Sequence, residues 1–316
     1  MQPIIPPVER PLIEQELTQD KFLRYTNFGD RMIYVITAHD SPNIMREVGR
    51  LREEAFRQGG GGTGKETDID EFDTMPDPYK QLLVWDPQDR EIVGGYRFIE
   101  GNRVRFDTDG TPLLSTTEIF RFTDKFIKEY LPQTIELGRS FVQIKYQSSR
   151  NGVFSLDNLW DGLGGLVTVN KDWMRYFFGK VTMYPSFNKE ARDTLLYYVS
   201  SYHKDPDHLL QPLNPLQAVT PLEKLQALFN GLDLEEAYKA ASKRIRELGE
   251  NIPPLFNSYI KLSPKMRSFG TCVNPHFGDV EETGILIKMD EIYPSKKERH
   301  VPQTIEEVRI KKHKTL

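Results

Sequence analysis

Two ionisable side chains three residues apart, Glu136 and Arg139 in the run Glu136-Leu137-Gly138-Arg139-Ser140, are the leading candidates for chemistry in this sequence. A carboxylate withdrawn from water can take a proton from a nucleophile, and a guanidinium can grip a carboxylate through two parallel hydrogen bonds. The run reads as part of a strand, where residues three apart point to opposite faces. A bulge or twist at Gly138 would bring both side chains into one cleft. Without it, they read equally well as a structural pair.

Other chemistries find less support. Gly59, Gly64 and Lys65 match most of G-x-x-x-x-G-K-[ST], but Glu66 takes the hydroxyl position and a helix precedes the loop where a phosphate cradle needs a strand. A loop lying over a site is the better reading. Glu66, Asp68, Asp70, Glu71 and Asp73 form an acidic cluster lacking the glycine and terminal Glu of a calcium loop, which leaves a solvated loop or a partner for a substrate ammonium group. Gly138-Arg139-Ser140-Phe141-Val142 lacks the second glycine of a nucleophile elbow, and Cys272 has only His276 nearby in a loop. The six histidines show no ligand spacing, so no metal is expected.

The elements that must position these residues follow from periodicity. Residues 31–38 alternate as a strand, and Ser41-Pro42 opens a helix with Ile44, Val48, Leu51 and Ala55 at helical spacing, ending near Gln58. Strands are expected at 81–86 and 91–99, a helix at 117–130 and a strand at 135–145. A helix capped by Ser155 should run to 167, a strand cover 181–184, and a helix capped by Asn188 reach Tyr202. That order predicts an α/β fold, a mixed sheet with helices on its faces. Residues 1–30, rich in proline and charge, read as a surface arm before a core at 31–203. Helical patterns at 221–229 and 235–248 lie in an insertion at 204–252. Strand-like runs return at 256–262 and 284–289 within 253–292, ahead of a basic tail at 293–316.

Composition bounds the partners. A net charge of −4 over 316 residues argues against nucleic acid. The local exception runs from Ser295 to Leu316, with seven Lys or Arg against three Glu, which offers contact with an anionic lipid surface or reads as a solvated tail. A single cysteine fits a reducing cytoplasm. The N-terminus lacks the pattern of a signal peptide, and no run approaches about 18 apolar residues.

Several blocks taken in order carry a resemblance: Leu51-Arg52-Glu53-Glu54-Ala55-Phe56, Asp70-Glu71-Phe72-Asp73, Val93-Gly94-Gly95-Tyr96-Arg97-Phe98 and Glu136-Leu137-Gly138-Arg139-Ser140. Leu159-Trp160 with Gly162, Phe178-Gly179, and Ile252-Pro253-Pro254-Leu255 leading to Tyr259-Ile260-Lys261-Leu262 extend it over residues 31 to 290. The chain resembles the bacterial N-acyltransferases that make lyso-ornithine and glycine lipids from acyl-carrier-protein thioesters, a branch of the GNAT superfamily often mislabelled haemolysins. It is similar, more loosely, to acyl-homoserine-lactone synthases, which typically carry Trp where this chain has Ile135.

The resemblance implies a GNAT-like, mostly antiparallel sheet and a cytoplasmic enzyme, peripheral at most at the inner membrane face. It implies transfer of a (3-hydroxy) fatty acyl group to the α-amine of glycine or ornithine, with no cofactor. The donor would be acyl carrier protein in preference to acyl-CoA, since Gln147-Ser148-Ser149-Arg150-Asn151-Gly152 departs from the [QR]-x-x-G-x-[GA] pyrophosphate loop. On this reading Glu136 is the general base and Tyr184 protonates the leaving thiol. Arg52, Arg97 or Arg139 holds the acceptor carboxylate, with Phe56, Asp70, Asp73, Ser140 and Phe141 in the substrate-binding set. Lys145 and Arg150 face the donor or its carrier protein, and Phe229 and Leu232 line an acyl groove or pack the core. A lactone-forming signal synthase and a non-catalytic acyl-binding module are the competing readings.

Overall fold

The computed structural model describes residues 1–147 and 152–309, the side chains of 152, 153, 308 and 309 excepted. In chain order the elements are α1 (Arg10–Glu16), β1 (Phe22–Tyr25), β2 (Met32–Ile36), α2 (Pro42–Gly59), α3 (Glu71–Thr74), β3 (Lys80–Asp86), β4 (Glu91–Glu100), β5 (Phe120–Phe122) and β6 (Thr134–Val142). They continue with α4 (Gly152–Val169), β7 (Tyr176–Met183), α5 (Lys189–Tyr202), β8 (Leu210–Pro212), α6 (Leu222–Phe229), α7 (Leu234–Glu247), α8 (Pro254–Ile260), β9 (Arg267–Asn274), β10 (Val280–Lys288), α9 (Pro294–His300) and α10 (Ile305–Arg309). An eight-stranded sheet of order β1-β2-β3-β4-β6-β7-β10-β9 is antiparallel except at β6 and β7, as expected of a mixed α/β sheet flanked by helices.

Strand alternation sends side chains to two faces. One face carries Leu82, Tyr96, Phe98, Leu137, Phe177 and Ile285 into a core with α4, α5 and α8, and α7 stacks on α5. The other face is split. Tyr34, Leu83 and Trp85 meet Ile44, Val48 and Leu51 of α2 in one cluster, while Ile99, Phe178 and Leu286 meet Leu114, Ile119 and Phe120 in another. Charged residues fill the seam between the two clusters.

Several elements differ from their sequence signatures. The segment read as an arm contributes β1, the edge strand of the sheet. The helix expected at 117–130 forms only in its second half, as a π-helix at Phe126–Tyr130, and its first half holds β5, paired with β8. Four aromatics in this segment, Phe120, Phe122, Phe126 and Tyr130, satisfy a strand as well as a helix. The run at 256–262 is helical: Pro254 starts α8, and Phe256, Tyr259 and Ile260 are buried at helical spacing. Ser155 lies inside α4 and does not cap it. The strand expected at 135–145 ends at Val142, and β9 carried no recognised signal.

The described part of the basic tail is anchored. Nδ1 of His300 lies 2.8 Å from Asp161, and its carbonyl accepts a 2.9 Å bond from Arg24. Helix α9 comes so close to α4 that a Cβ on Gly164 would meet the His300 carbonyl oxygen at 1.9 Å. Gly164→Ala is therefore expected to lower stability by about 1–3 kcal/mol through overpacking. Urea denaturation measures this, and limited proteolysis should report earlier release of the segment after Tyr293.

Candidate active site

The parallel ladder between β6 and β7 runs from Thr134 and Tyr176 to Leu137 and Gly179 and then stops, although both strands continue. A bulge accompanies the parting. On β4, Gly95 pairs with Phe141 and Arg97 with Gly138, so β6 carries one extra residue, and Arg139 has a left-handed φ of 46°. Gly94 admits the bulge, since a Cβ there would meet the Phe141 oxygen at 2.4 Å. The gap is a narrow apolar slot floored by Leu255 and Tyr259 of α8. Through Ser140, Lys180 and Leu255 it joins a wider mouth bordered by Phe56, Phe141 and Tyr184.

The charged seam lies alongside. Asp70 caps α3 and accepts from Arg97 Nη1 at 2.7 Å. Arg52 reaches Asp68 at 3.0 Å and Asp73 at 3.3 Å, and Arg139 reaches Asp68 at 2.9 Å with its guanidinium 4.2 Å from the Phe277 ring centre. Three arginines thus face three aspartates. Burial pushes the Asp70 carboxyl up, but Arg97 and then Arg139 outweigh it and hold the group well below the usual carboxylate range. Within the acidic cluster, Asp68, Asp70 and Asp73 are paired with these arginines, contrary to a solvated loop, while Glu66 and Glu71 are exposed. Arg52 and Asp73 are fully buried and absent from the cleft walls, so they brace Arg97 and Asp68, while Arg139 borders the mouth.

Glu136 points to the same face as Arg97 and is 1% exposed. It accepts a hydrogen bond from Tyr79 Oη at 2.9 Å and one from Ser115 Oγ at 3.3 Å. Tyr79 Oη in turn accepts from the Ser115 amide at 2.9 Å, and its ring lies 5.0 Å from the Arg97 guanidinium. Burial raises the Glu136 pKa to about 7, against the opposing pull of the Tyr79 bond and Arg97. A carboxyl poised there can exchange protons at neutral pH.

Comparisons with known proteins bear on this geometry. Residues 51–156 match the family model described as an acetyltransferase (GNAT) domain. A solved CoA-dependent acyl-homoserine lactone synthase, MesI, shows a slight likeness, 14% identity and a TM-score of 0.35 over 85% of this chain and 92% of that one. A glycine N(alpha)-acyltransferase of Bacteroides thetaiotaomicron is 55% identical over 309 residues, 97% of this chain and 91% of its own length. One from Phocaeicola vulgatus is 52% identical over 310 residues, 97% of this chain and 95% of that one. The chain belongs to this family of N-acyltransferases.

An N-acyltransferase of this architecture has further groups around its cleft. Tyr184 borders the mouth, and burial, with a smaller push from Glu282, raises its pKa. The glycine run lies on that ring: a Cβ on Gly59 would meet the ring at 2.4 Å. Two groups carried no sequence signal beyond their charge. Lys180, on both the slot and the mouth, pairs with Glu282 at 2.6 Å, and Glu282 also accepts from Asn274 Nδ2 at 2.7 Å. Tyr79 and Ser115 stood in stretches read as connections. Lys145 is half exposed, pairs with Asp89 at 3.0 Å and is absent from the cleft walls, and Arg150 lies outside the described residues. Phe229 packs among Tyr197, Tyr198 and Tyr202, and Leu232 packs against the core, so of the two readings given for them it is core packing that the structure shows. Cys272 is buried and donates to the Ile119 carbonyl. No described helix is long and apolar enough to cross a membrane.

The raised Glu136 pKa sets a pH dependence. A general base works only when ionised, so kcat/KM should rise with pH along a limb centred near 7. Glu136→Gln should remove that limb and lower the rate about 100-fold or more. Stability runs the other way: the folded carboxyl holds its proton more tightly than the unfolded one, so wild type loses stability as pH rises from about 4.5 through about 7. Glu136→Gln lacks that loss. Thiol-release kinetics and urea titrations across this range measure both.

Proposed function

We propose that the protein transfers a fatty acyl group from acyl carrier protein to the α-amine of glycine, giving an N-acyl amino acid that serves as a membrane-lipid precursor. The observation that carries this reading is an apolar slot at the parting of β6 and β7, lined by Gly138 two residues along β6 from a buried carboxyl poised near neutrality. The extended arm of a carrier-bound thioester enters between β6 and β7. Its acyl chain needs apolar walls, which Leu137, Phe177, Leu255 and Ile285 offer.

The amine nitrogen attacks the thioester carbonyl carbon and gives up a proton to Glu136, directly or through one water. Backbone N–H groups of β6 beyond the end of its ladder stabilise the oxyanion. As the C–S bond breaks, the thiolate takes a proton from Tyr184, whose raised pKa keeps the phenol protonated until that moment. The acceptor carboxylate calls for a guanidinium, and Arg139 borders the mouth while Arg97 lies beside Gly138 of the slot.

Glycine is favoured over ornithine because both relatives are named for it. A protein carrier is favoured over coenzyme A by the loss of the pyrophosphate-loop pattern at 147–152. No cofactor takes part. The enzyme works at the cytoplasmic face, where its lipophilic product enters the inner membrane and the basic C-terminal residues meet anionic headgroups.

Purified protein offered acyl carrier protein or coenzyme A thioesters, each with glycine or ornithine, should form N-acylglycine from the carrier-bound donor most efficiently. Lipid mass spectrometry of cells expressing the wild type should show the same product, absent with Glu136→Gln. Equal use of both donors would remove the carrier-protein assignment. A lactone product would remove the acceptor assignment.

A further inference from the structure

Glycine weakens a strand interior, and it stands there where a bulge, a close backbone approach or a ligand requires it. Gly94, Gly95 and Gly179 meet the second condition, because a Cβ on any of them would strike a backbone oxygen of a neighbouring strand within 2.7 Å. Gly138 meets neither of the first two. Its φ is not left-handed, and a Cβ there would have a single neighbour within 4 Å, Arg97 Nε at an ordinary 3.9 Å. The fold would accept alanine at this position. What glycine preserves is open space.

That space is specific in its surroundings. Gly138 lines the slot together with Lys180, and it shares its face of the sheet with Glu136, two residues earlier on β6. Glu136 itself is not on the slot wall, and the missing side chain at 138, next on the same face of β6, leaves an opening in that wall. At the edge of the opening, Arg97 is 1% exposed, and its Nη1 serves Asp70, but its Nε–H has no acceptor among the described residues. A buried guanidinium donor without an acceptor carries a penalty that an incoming oxygen anion would remove.

We propose that the space over Gly138 is the acceptor subsite. Arg97 Nε–H takes one carboxylate oxygen of the amino acid, its α-carbon lies where a residue-138 side chain would stand, and its amine faces Glu136. Charge supports the arrangement. Arg52, Arg97 and Arg139 balance Asp68, Asp70 and Asp73, and Lys180 balances Glu282, which leaves Glu136 as the odd charge of the seam. A carboxylate entering beside it adds one negative charge, and the proton that Glu136 accepts from the amine cancels one. The subsite therefore takes an α-amino acid with little or no side chain and excludes branched or long ones by contact with residue 138 and the slot walls. This rests on the N-acylation reading above.

The test is Gly138→Ala and Gly138→Val, assayed for glycine and for thioester separately, beside thermal melts. Alanine should leave the melting temperature within a few degrees of wild type. Its KM for glycine should rise about 10- to 200-fold, the usual effect of one carbon placed in a site, with the thioester KM unchanged and valine more severe. An unchanged glycine KM, or a thioester KM that moves with it, overturns the subsite. Wild type gives a check that needs no variant: glycine should be used at least tenfold better than glycinamide, which lacks the carboxylate for Arg97, and equal use overturns the proposal. A wild-type protein that acylates no amino acid from either thioester refutes the N-acylation reading instead, and the subsite with it.

Discussion

One surplus residue in β6 governs the geometry of the site. Between the pairs Gly95 with Phe141 and Arg97 with Gly138, β6 spends three steps where β4 spends two, and Arg139 absorbs the difference in a left-handed conformation. For a residue with a Cβ that conformation costs about 1–3 kcal/mol and persists only when its surroundings impose it. Here Asp68, Asp70 and the Phe277 ring hold the side chain from three directions. A bulge bends its strand and increases its twist. The bend falls where β6 and β7 part, and the same extra residue lets Glu136 and Arg139 reach one region despite their odd spacing.

The seam of buried charge gives the bulge its anchorage. Removing one member of such a network costs about 3–5 kcal/mol, because the partner is left charged and unpaired. Arg52 and Asp73 have no exposure, so their charges are felt by neighbours with little screening from water. The seam thereby does two things. It fixes Arg97 and Arg139 in place, and it holds positive charge near Glu136 so that burial raises that carboxyl only to about 7. Without Arg97 and Tyr79 in opposition, desolvation alone would carry it higher and leave it protonated under neutral conditions.

Much of this was legible from the residues. The strands β2, β3 and β4 were plain as short apolar runs between turn signals, and α2 was plain because Ile44, Val48, Leu51 and Ala55 meet one cluster at helical spacing. Glu136, Gly138 and Arg139 stood together in the sequence, where a bulge was named as the condition for Glu136 and Arg139 to share a cleft, and β6 has that bulge, at Arg139. What remained hidden was contact between distant segments. Tyr79 and Ser115 meet Glu136 across 57 and 21 residues of chain, and Lys180 meets Glu282 across 102, pairings that no local pattern records. The acidic stretch at 66–73 misled for the same reason: its counter-charges come from Arg52, Arg97 and Arg139, which are spread over three elements. The run at 256–262 failed because a short apolar segment does not declare its period.

The glycine run from Gly59 to Gly62 shows how one composition can arise from a different constraint. Read by itself, it invites a phosphate, since repeated glycines free backbone N–H groups to point inward. In the fold its amides turn elsewhere. Gly61 N–H bonds the Phe56 carbonyl at the end of α2, while the amides of Thr63 and Gly64 bond the buried Glu53 carboxylate. Gly60 closes the helix in the left-handed conformation that glycine adopts without strain. Gly59 is glycine for another reason, the tyrosine ring of Tyr184 lying where its side chain would be. The run therefore serves closeness: it ends a helix, satisfies an interior carboxylate and brings backbone flat against the aromatic ring at the mouth of the cleft. A phosphate loop needs glycine to expose its backbone, and this loop needs it to bury a neighbour.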